Sequence, residues 1–283
     1  MVEPIVRSAL LEDLGRAGDI TTDAIVGDLR HPEQGRGSAE ISAAIVARKP
    51  GRVAGLGVAA LAFTLLDADF YFEGLRPDGS DVEAGETVAR LRGSPRTILS
   101  AERTALNFLC HLSGIATATR AFVRAVEGTG TAIACTRKTT PGLRSLEKYA
   151  VRVGGGRNHR YGLDDAVLIK DNHIAAAGSL RAAIERVRSS VGHLVKVEIE
   201  VDTLDQLREV LSIGGVDAVL LDNMSDAQLR EAVALAGKNV VLEASGSVNL
   251  DTVAKIAQTG VNIISSGWIT HSAPALDFGL DFT

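Results

Sequence analysis

From about residue 130 onward, short apolar runs alternate with longer amphipathic ones, and this alternation limits the folds open to the chain. "TAIACT" (131–136), "AVLIK" (166–170), "LVKVEIEV" (194–201), "DAVLLD" (217–222), "VVLEAS" (240–245) and "VNIISS" (261–266) read as strands. Between most of them stand "SLRAAIERVRSSV", "TLDQLREVLSI", "SDAQLREAVALA" and "NLDTVAKIAQTG", with apolar residues at helical spacing. Strand and helix in repeated succession, joined by short loops, predict parallel βαβ units. Six strands are too few for an eight-stranded barrel and leave an open doubly wound sheet or an incomplete barrel. "LVKVEIEV" separates the two. Val195, Val197, Ile199 and Val201 fall on one face, and Lys196, Glu198 and Glu200 on the other. A strand covered by helices on both faces should be apolar on both. One ionic face fits a barrel whose interior is polar, unless Lys196 and a glutamate merely form a buried ion pair.

The first hundred residues are mixed. "PIVRSALLEDLG" predicts a helix ending at Gly15, "AEISAAIVAR" (39–48) a half-buried strand, "GVAALAFTLLDA" a helix and "DFYFEGL" a strand. "DGSDVEAGETVARLRG" has Gly85 between two strand-like pieces and predicts a hairpin. In "SPRTILSAERTALNFLCHLSGIATATRAFVRAVEG", Ser94 is placed as an N-cap with Pro95 at the first helical position. The stretch is one long helix or two broken near Gly114.

Composition removes several classes. The 283 residues carry a net charge of −5 and only 4% aromatics, which argues against a nucleic-acid binder. Two cysteines, Cys110 and Cys135, make no disulfide framework and predict a reducing, cytoplasmic setting. "MVEPIVRSALLEDLG" lacks the basic and apolar regions of a signal peptide. No apolar run approaches the ~20 residues that span a membrane.

In parallel α/β folds, ligands bind beyond the carboxyl ends of the strands. Those ends carry Arg137 and Lys138, then Lys170, Glu200, Asp222, Glu243 with "ASGS", and "SSG". Lys170 shares its strand face with Ala166 and Leu168, and Asp222 with Ala218 and Leu220. One polar residue ending an otherwise apolar strand, repeated around a ring, is hard to explain by packing. His159 and Arg160 extend the cationic group in "VGGGRNHRYGLDDAVLIKDNHI". Glu200 and Asp222 suit a divalent cation or sugar hydroxyls. "SGS" (245–247) and "SSG" (265–267) are expected at helix starts, where backbone N–H groups bind phosphate. Together these residues predict a polyanionic ligand with a ribose-like part.

The stretch "RKTTPGLRSLEKYAVRVGGGRNHRYGLDDAVLIKDNHI" (137–174) closely resembles the signature of the quinolinate phosphoribosyltransferase family. "LLEDLGRAGDITTDAIV", "SAERTALNFLCHLSGIAT", "KVEIEVDTLDQ", "LLDNM", "EASG" and "THSAPALDFGL" extend the resemblance, in order, over nearly the whole chain. It implies an α/β protein: an N-terminal open-faced α/β sandwich domain over 1–112, to which a tail at 268–283 returns, and an incomplete α/β barrel over 113–267. It implies a homodimer or a higher assembly of dimers with shared active sites. It also implies the reaction of quinolinate with phosphoribosyl pyrophosphate (PRPP) and Mg²⁺ in de novo NAD biosynthesis, giving nicotinate mononucleotide, pyrophosphate and CO₂.

The same resemblance assigns roles. Arg103 would enter the neighbouring subunit's site. Thr136, Arg137, Lys138, His159 and Arg160 would hold quinolinate. Lys170 would face PRPP, with Glu200 and Asp222 around the ribose hydroxyls and Mg²⁺, the ion being reached through PRPP and water. Lys138, Lys170, Glu200 and Asp222 would be the catalytic set. Ser245, Gly246, Ser247, Ser266 and Gly267 would take the 5′-phosphate. The pairs Arg137/Lys138 and His159/Arg160 set the chain apart from relatives with another acceptor, such as the molybdenum-uptake-associated ones. Two positions depart from the family pattern: Ser247, where a second glycine is usual, and Trp268, where a smaller or aliphatic residue is.

Overall fold

The computed structural model describes residues 2–26 and 40–283; Ala39, which opens the first predicted strand, lies outside them. The chain divides into two compact units. The first comprises Met1–Ala118, Pro141–Gly154 and Ala273–Thr283; the second comprises Thr119–Thr140 and Gly155–Ser272.

In the first unit, helix α1 (Glu3–Leu14) buries Val6 and Leu10, one turn apart, and stops at Gly15, whose φ is 52°. Helix α2 (Ile20–Val26) follows, started by Asp19, which accepts from the Thr22 N–H at 2.9 Å. Strand β1 (Ile41–Ala47) is central to a four-stranded sheet. It pairs antiparallel with β5 (Thr87–Gly93) and with the C-terminal strand β12 (Phe278–Phe282), and β3 (Tyr71–Gly74) lies outside β5. Helix α3 (Leu56–Thr64) buries Phe63, which stacks on Phe70 at 4.9 Å. The hairpin expected around Gly85 does not form. The two-residue strand β4 (Asp81–Val82) pairs with β2 (Gly51–Arg52) instead, while β5 is already paired on both sides.

Helix α4 (Pro95–Ala125) is a single helix of 31 residues. Ser94 caps it, its Oγ accepting from the Thr97 N–H at 3.1 Å. Gly114 does not break it. A Cβ there would collide with the Pro274 carbonyl, so the glycine permits a close approach of the C-terminal tail. Residues 141–154, read from the sequence as barrel, group with the first unit and form α5 (Arg144–Val153). His111 Nε2 of α4 meets the fully buried Glu147 of α5 at 2.8 Å. Among the described residues, no helix is long and apolar enough to cross a membrane.

The second unit contains all six predicted strands: β6 (Ala132–Ala134), β7 (Val167–Ile169), β8 (Val197–Val201), β9 (Ala218–Asp222), β10 (Val241–Ser245) and β11 (Ile263–Ser265). They form one parallel sheet in the order β6-β11-β10-β9-β8-β7. Among the described residues β6 and β7 do not pair, so the barrel stays open between them. Just beyond β6, Arg157 adds one more parallel bridge, to Ala134. Its N–H donates to Ile133 O at 2.7 Å, and Cys135 N donates back to its carbonyl at 3.1 Å.

Helices α6 (Asp171–Ala177), α7 (Leu180–Ser190), α8 (Leu204–Ile213) and α9 (Asp226–Ala236) follow their strands. Ser179, Thr203 and Ser225 cap the last three, each hydroxyl accepting a backbone N–H three residues on. Helix α10 is only Val253–Ala257, shorter than predicted, and α11 is Trp268–His271. Val197, Ile199 and Val201 of β8 are fully buried, while Glu198 and Glu200 line cavities inside the barrel. Among the described residues, Lys196 pairs with no glutamate. Lys196 Nζ meets Asp217 Oδ1 at 2.7 Å with its side chain 78% exposed. Burial raises the Asp217 pKa, but bonds from Lys196, the Val197 N–H and Arg188 outweigh it and bring it down to about 2.

Candidate active site

At the carboxyl ends of the strands lies a cavity of about 410 Å³. Of the residues singled out from the sequence, Thr136, Arg137, Lys138, His159, Arg160, Lys170, Glu200, Asp222 and Ser245 line it. Gly246, Ser247, Ser266, Gly267 and Arg103 do not. Arg103 is exposed on α4. Leu168, Leu220, Glu243 and Ser265 line the cavity in addition. Glu243 reads from the sequence as a polar strand-end residue without an assigned role; it shares a strand face with Ser245, two residues deeper in β10.

Each cation is set in place by backbone geometry. Thr136 Oγ1 accepts from the Lys138 N–H at 3.0 Å, and the Lys138 carbonyl accepts from Thr270 Oγ1 at 2.8 Å. Gly267 makes room for the Lys138 stem; a Cβ there would come within 2.8 Å of Lys138 Cδ. Residues 157–165 form a knitted loop. Asp165 accepts from the N–H groups of Tyr161 and Gly162 at 2.7 and 2.9 Å, and Asn158 Nδ2 donates to Tyr161 Oη at 2.8 Å. Asp165 is thus a loop-former. His173 is a cap: its Nδ1 accepts from the Lys170 N–H at 2.9 Å at the start of α6.

The electrostatics are those of an anion site. Arg160 Nη1 donates to Ala166 O at 3.2 Å, but the buried Nε atoms of both Arg160 and Arg137 have no hydrogen-bond partner among the described residues. Burial first, then the neighbouring Arg137 charge, pulls the Arg160 pKa below its ordinary range, against Asp165 and Glu198. Two guanidinium groups held together with unsatisfied N–H groups are suited to a carboxylate or phosphate. Lys170 Nζ lies 2.6 Å from Glu200 Oε2. Asp222 Oδ2 accepts from Asn223 Nδ2 at 2.7 Å.

Below the cations, His159 Nε2 is 2.9 Å from Glu198 Oε2 and 3.7 Å from Glu243 Oε1. The Arg160 N–H donates to His159 Nδ1 at 2.8 Å. Both ring nitrogens are therefore engaged within the protein, and the donation to a substrate carboxylate expected of His159 has no N–H left to make it. Burial and the adjacent Glu198 charge push the Glu243 pKa up from 4.5 to about 7. In the unfolded chain Glu243 would lose its proton in the ordinary range, so folding takes up a proton between those values. Stability from this group is fully present below pH 4.5 and is lost as pH rises through 7. Glu243→Gln is expected to match the wild type in urea at pH 4 and to exceed it at pH 8.5 by roughly 1–3 kcal/mol. Equal differences at both pH values would show that Glu243 is ionised throughout.

Of the two turns expected at helix starts, "SSG" does stand there, with Gly267 directly before α11, and "SGS" does not. "SGS" does not open a helix: α10 begins only at Val253, because Val248 is buried and Asn249 Oδ1 accepts from the N–H groups of Asp251 and Thr252 at 2.9 and 3.1 Å. Ser266 is buried and its Oγ donates to Val248 O at 3.3 Å. Gly246 has φ 95°, and a Cβ there would strike the Asn223 side chain. Ser247 has φ 48°, a left-handed conformation unusual for a residue with a Cβ. Its side chain is exposed. Ser247→Gly is expected to stabilise the fold by about 0.5–1 kcal/mol, the relief of left-handed strain exceeding the added unfolded-state entropy. A fall in the urea midpoint would contradict this. Trp268 stacks on Phe122 with centroids 5.9 Å apart, so its ring fills space within the unit.

Comparison with known proteins identifies the family. The family model of the quinolinate phosphoribosyl transferase N-terminal domain matches residues 19–113, and that of the C-terminal domain matches residues 115–281. A carboxylating nicotinate-nucleotide pyrophosphorylase from Mycobacterium leprae (strain TN) is 44% identical over 284 residues, covering 98% of this chain and 95% of its own. A probable enzyme of the same name from Bacillus subtilis (strain 168) is 42% identical over 282 residues, covering 100% and 93%. The crystal structure of NadC from Streptococcus pyogenes matches with a TM-score of 0.91 at 40% identity, over 100% of this chain and 98% of that one. The chain belongs to the quinolinate phosphoribosyl transferase family.

Proposed function

We propose that this cavity transfers phosphoribosyl from PRPP to quinolinate. The chain is a phosphoribosyltransferase that converts quinolinate to nicotinate mononucleotide with loss of CO₂, a step of NAD biosynthesis. The observation that carries the site assignment is the pair of half-buried guanidinium groups at Arg137 and Arg160, each with a buried Nε that has no partner among the described residues, beside Lys138 in the cavity. Quinolinate is a planar dicarboxylate, and planar N–H forks match carboxylates well. Lys170, Glu200 and Asp222 form the other side of the cavity, toward the sugar.

Positive charge develops on the ribose as pyrophosphate leaves C1. Glu200 and Asp222 stabilise it, and Lys170 and Lys138 offset the charge of the departing pyrophosphate. The pyridine nitrogen, held by its carboxylates, attacks C1. Loss of the adjacent carboxylate as CO₂ then leaves the electron pair of the broken C–C bond on C2, as an ylide stabilised by the neighbouring N⁺, and a proton from water completes the C–H bond of the product. Holding both partners in line supplies much of the rate. Glu200 and Asp222 are hard oxygen donors at neighbouring strand ends, a set that fits Mg²⁺ shared with substrate oxygens and water. When bound, the ion neutralises charge on the leaving group.

A Schiff-base aldolase built on Lys170 is disfavoured, because Nζ is engaged by Glu200 Oε2 at 2.6 Å and is not free to attack a carbonyl. A homodimer sharing its active sites, in the cytoplasm, completes the reading. Purified protein with Mg²⁺, PRPP and quinolinate tests it: nicotinate mononucleotide and CO₂ should appear in equal amounts, and no product would end it.

A further inference from the structure

Beneath the cationic cavity sits a cluster that the reaction steps above do not use. His159, Glu198 and Glu243 bring one nitrogen and two carboxylate oxygens within 4.8 Å of one another. Glu198 and Glu243 are both buried, at 8% and 3% exposure. Three such groups suggest a metal, but the ring argues otherwise. His159 Nδ1 accepts the Arg160 N–H at 2.8 Å and so presents its lone pair there. A neutral imidazole has one lone-pair nitrogen and one N–H. Nε2 therefore carries the hydrogen and donates it to Glu198 Oε2 at 2.9 Å. A metal at Nε2 would need the lone pair that this bond excludes. A doubly protonated ring would set its Nδ1–H against the Arg160 N–H.

We propose that Glu198 is a positioning residue for the acceptor site. By accepting the Nε2–H of His159 it fixes the ring in one tautomer. Through Nδ1 the ring then holds the backbone of Arg160, whose guanidinium faces the cavity. Arg160 is thus anchored at its N–H by His159 and at Nη1 by Ala166 O, 3.2 Å away, while its buried Nε has no partner among the described residues. His159 contributes orientation rather than charge. Glu198 acts from the second cavity, of about 520 Å³ at the amino ends of the strands, which it lines together with His159 and Arg160. This inference rests on the proposed assignment of Arg160 to quinolinate.

The test uses the full-length protein and the variants Glu198→Ala and Glu198→Gln. Nitrogen-15 NMR of labelled histidine in the wild type should show His159 as the neutral Nε2–H tautomer. The alanine variant should lose that tautomeric preference, with a KM for quinolinate raised about tenfold or more and a KM for PRPP within about twofold. Glutamine, whose amide oxygen still accepts the Nε2–H, should rescue quinolinate KM to within about threefold of wild type. An imidazolium or the opposite tautomer in the wild type would overturn the proposal without any variant. So would an equal rise in both KM values, or a glutamine variant as impaired as the alanine one. The wild-type spectrum and the glutamine variant keep the test open if Glu198→Ala does not fold. A wild type that makes no nicotinate mononucleotide would sink the functional reading instead, while the tautomer measurement would still stand.

Discussion

Nicotinate offered in place of quinolinate is expected to be used with a kcat/KM lower by about a hundredfold or more. The two acids differ by one carboxylate, the one next to the ring nitrogen. With nicotinate bound, one of the half-buried guanidinium groups keeps an unsatisfied Nε–H and an uncompensated charge. Burial already works against the Arg160 cation, and Arg137 beside it adds to the strain. Removing the carboxylate partner of such a charged group costs on the order of a few kcal/mol. A site built to pair with a polar group rejects the analogue lacking it far better than an apolar pocket rejects a missing methylene. The same reasoning sets a second outcome. Arg160→Met should slow quinolinate turnover strongly and narrow the gap between the two acids, since the group that penalises the missing carboxylate is gone. Steady-state kinetics at fixed PRPP decide the matter. Values for the two acids within about tenfold of each other would remove the double carboxylate clamp.

The barrel was legible because its signals are periodic. The valine and glutamate faces of β8 told which side meets helices, and each strand end carried its polar residue at the same point of the repeat. The first unit was harder. Strands β2 and β4 have two residues each, too short for any alternation, so their pairing left no pattern and a local hairpin looked sufficient. Helix α5 carries an ordinary amphipathic pattern, and nothing local to it states which unit it joins. At the site, residue types were readable but hydrogen-bond commitments were not. His159 looks like a cation in the sequence; its tautomer depends on Glu198, 39 residues away, and on a backbone N–H. Glycine and serine in "SGS" suggest a helix start, yet the Asn249 turn and the buried Val248 postpone it. The departure at Ser247 acquires meaning only from its φ of 48°.

Mixing two inactive variants, Arg103→Ala and Lys138→Ala, is expected to restore activity. Lys138 lines the cavity of its own chain, and Arg103 is not among the residues that do. If Arg103 completes the cavity of a neighbouring subunit in a two-fold dimer, a mixed dimer has one site with both lesions and one with neither. The intact site should work at close to the wild-type rate. Random exchange makes about half the dimers mixed, so about a quarter of wild-type activity should return, as an order-of-magnitude figure from the symmetry of a closed dimer. The alternative is that Arg103, exposed on α4, only forms a surface ion pair within its own chain. Such pairs are common and contribute little. In that case Arg103→Ala alone should stay active, and mixing would add nothing beyond the sum of the two preparations. Differently tagged chains establish that subunits have exchanged. Proven exchange without recovery would take Arg103 out of the shared site, and the cavity would then have to bind both carboxylates with Arg137, Lys138 and Arg160 alone.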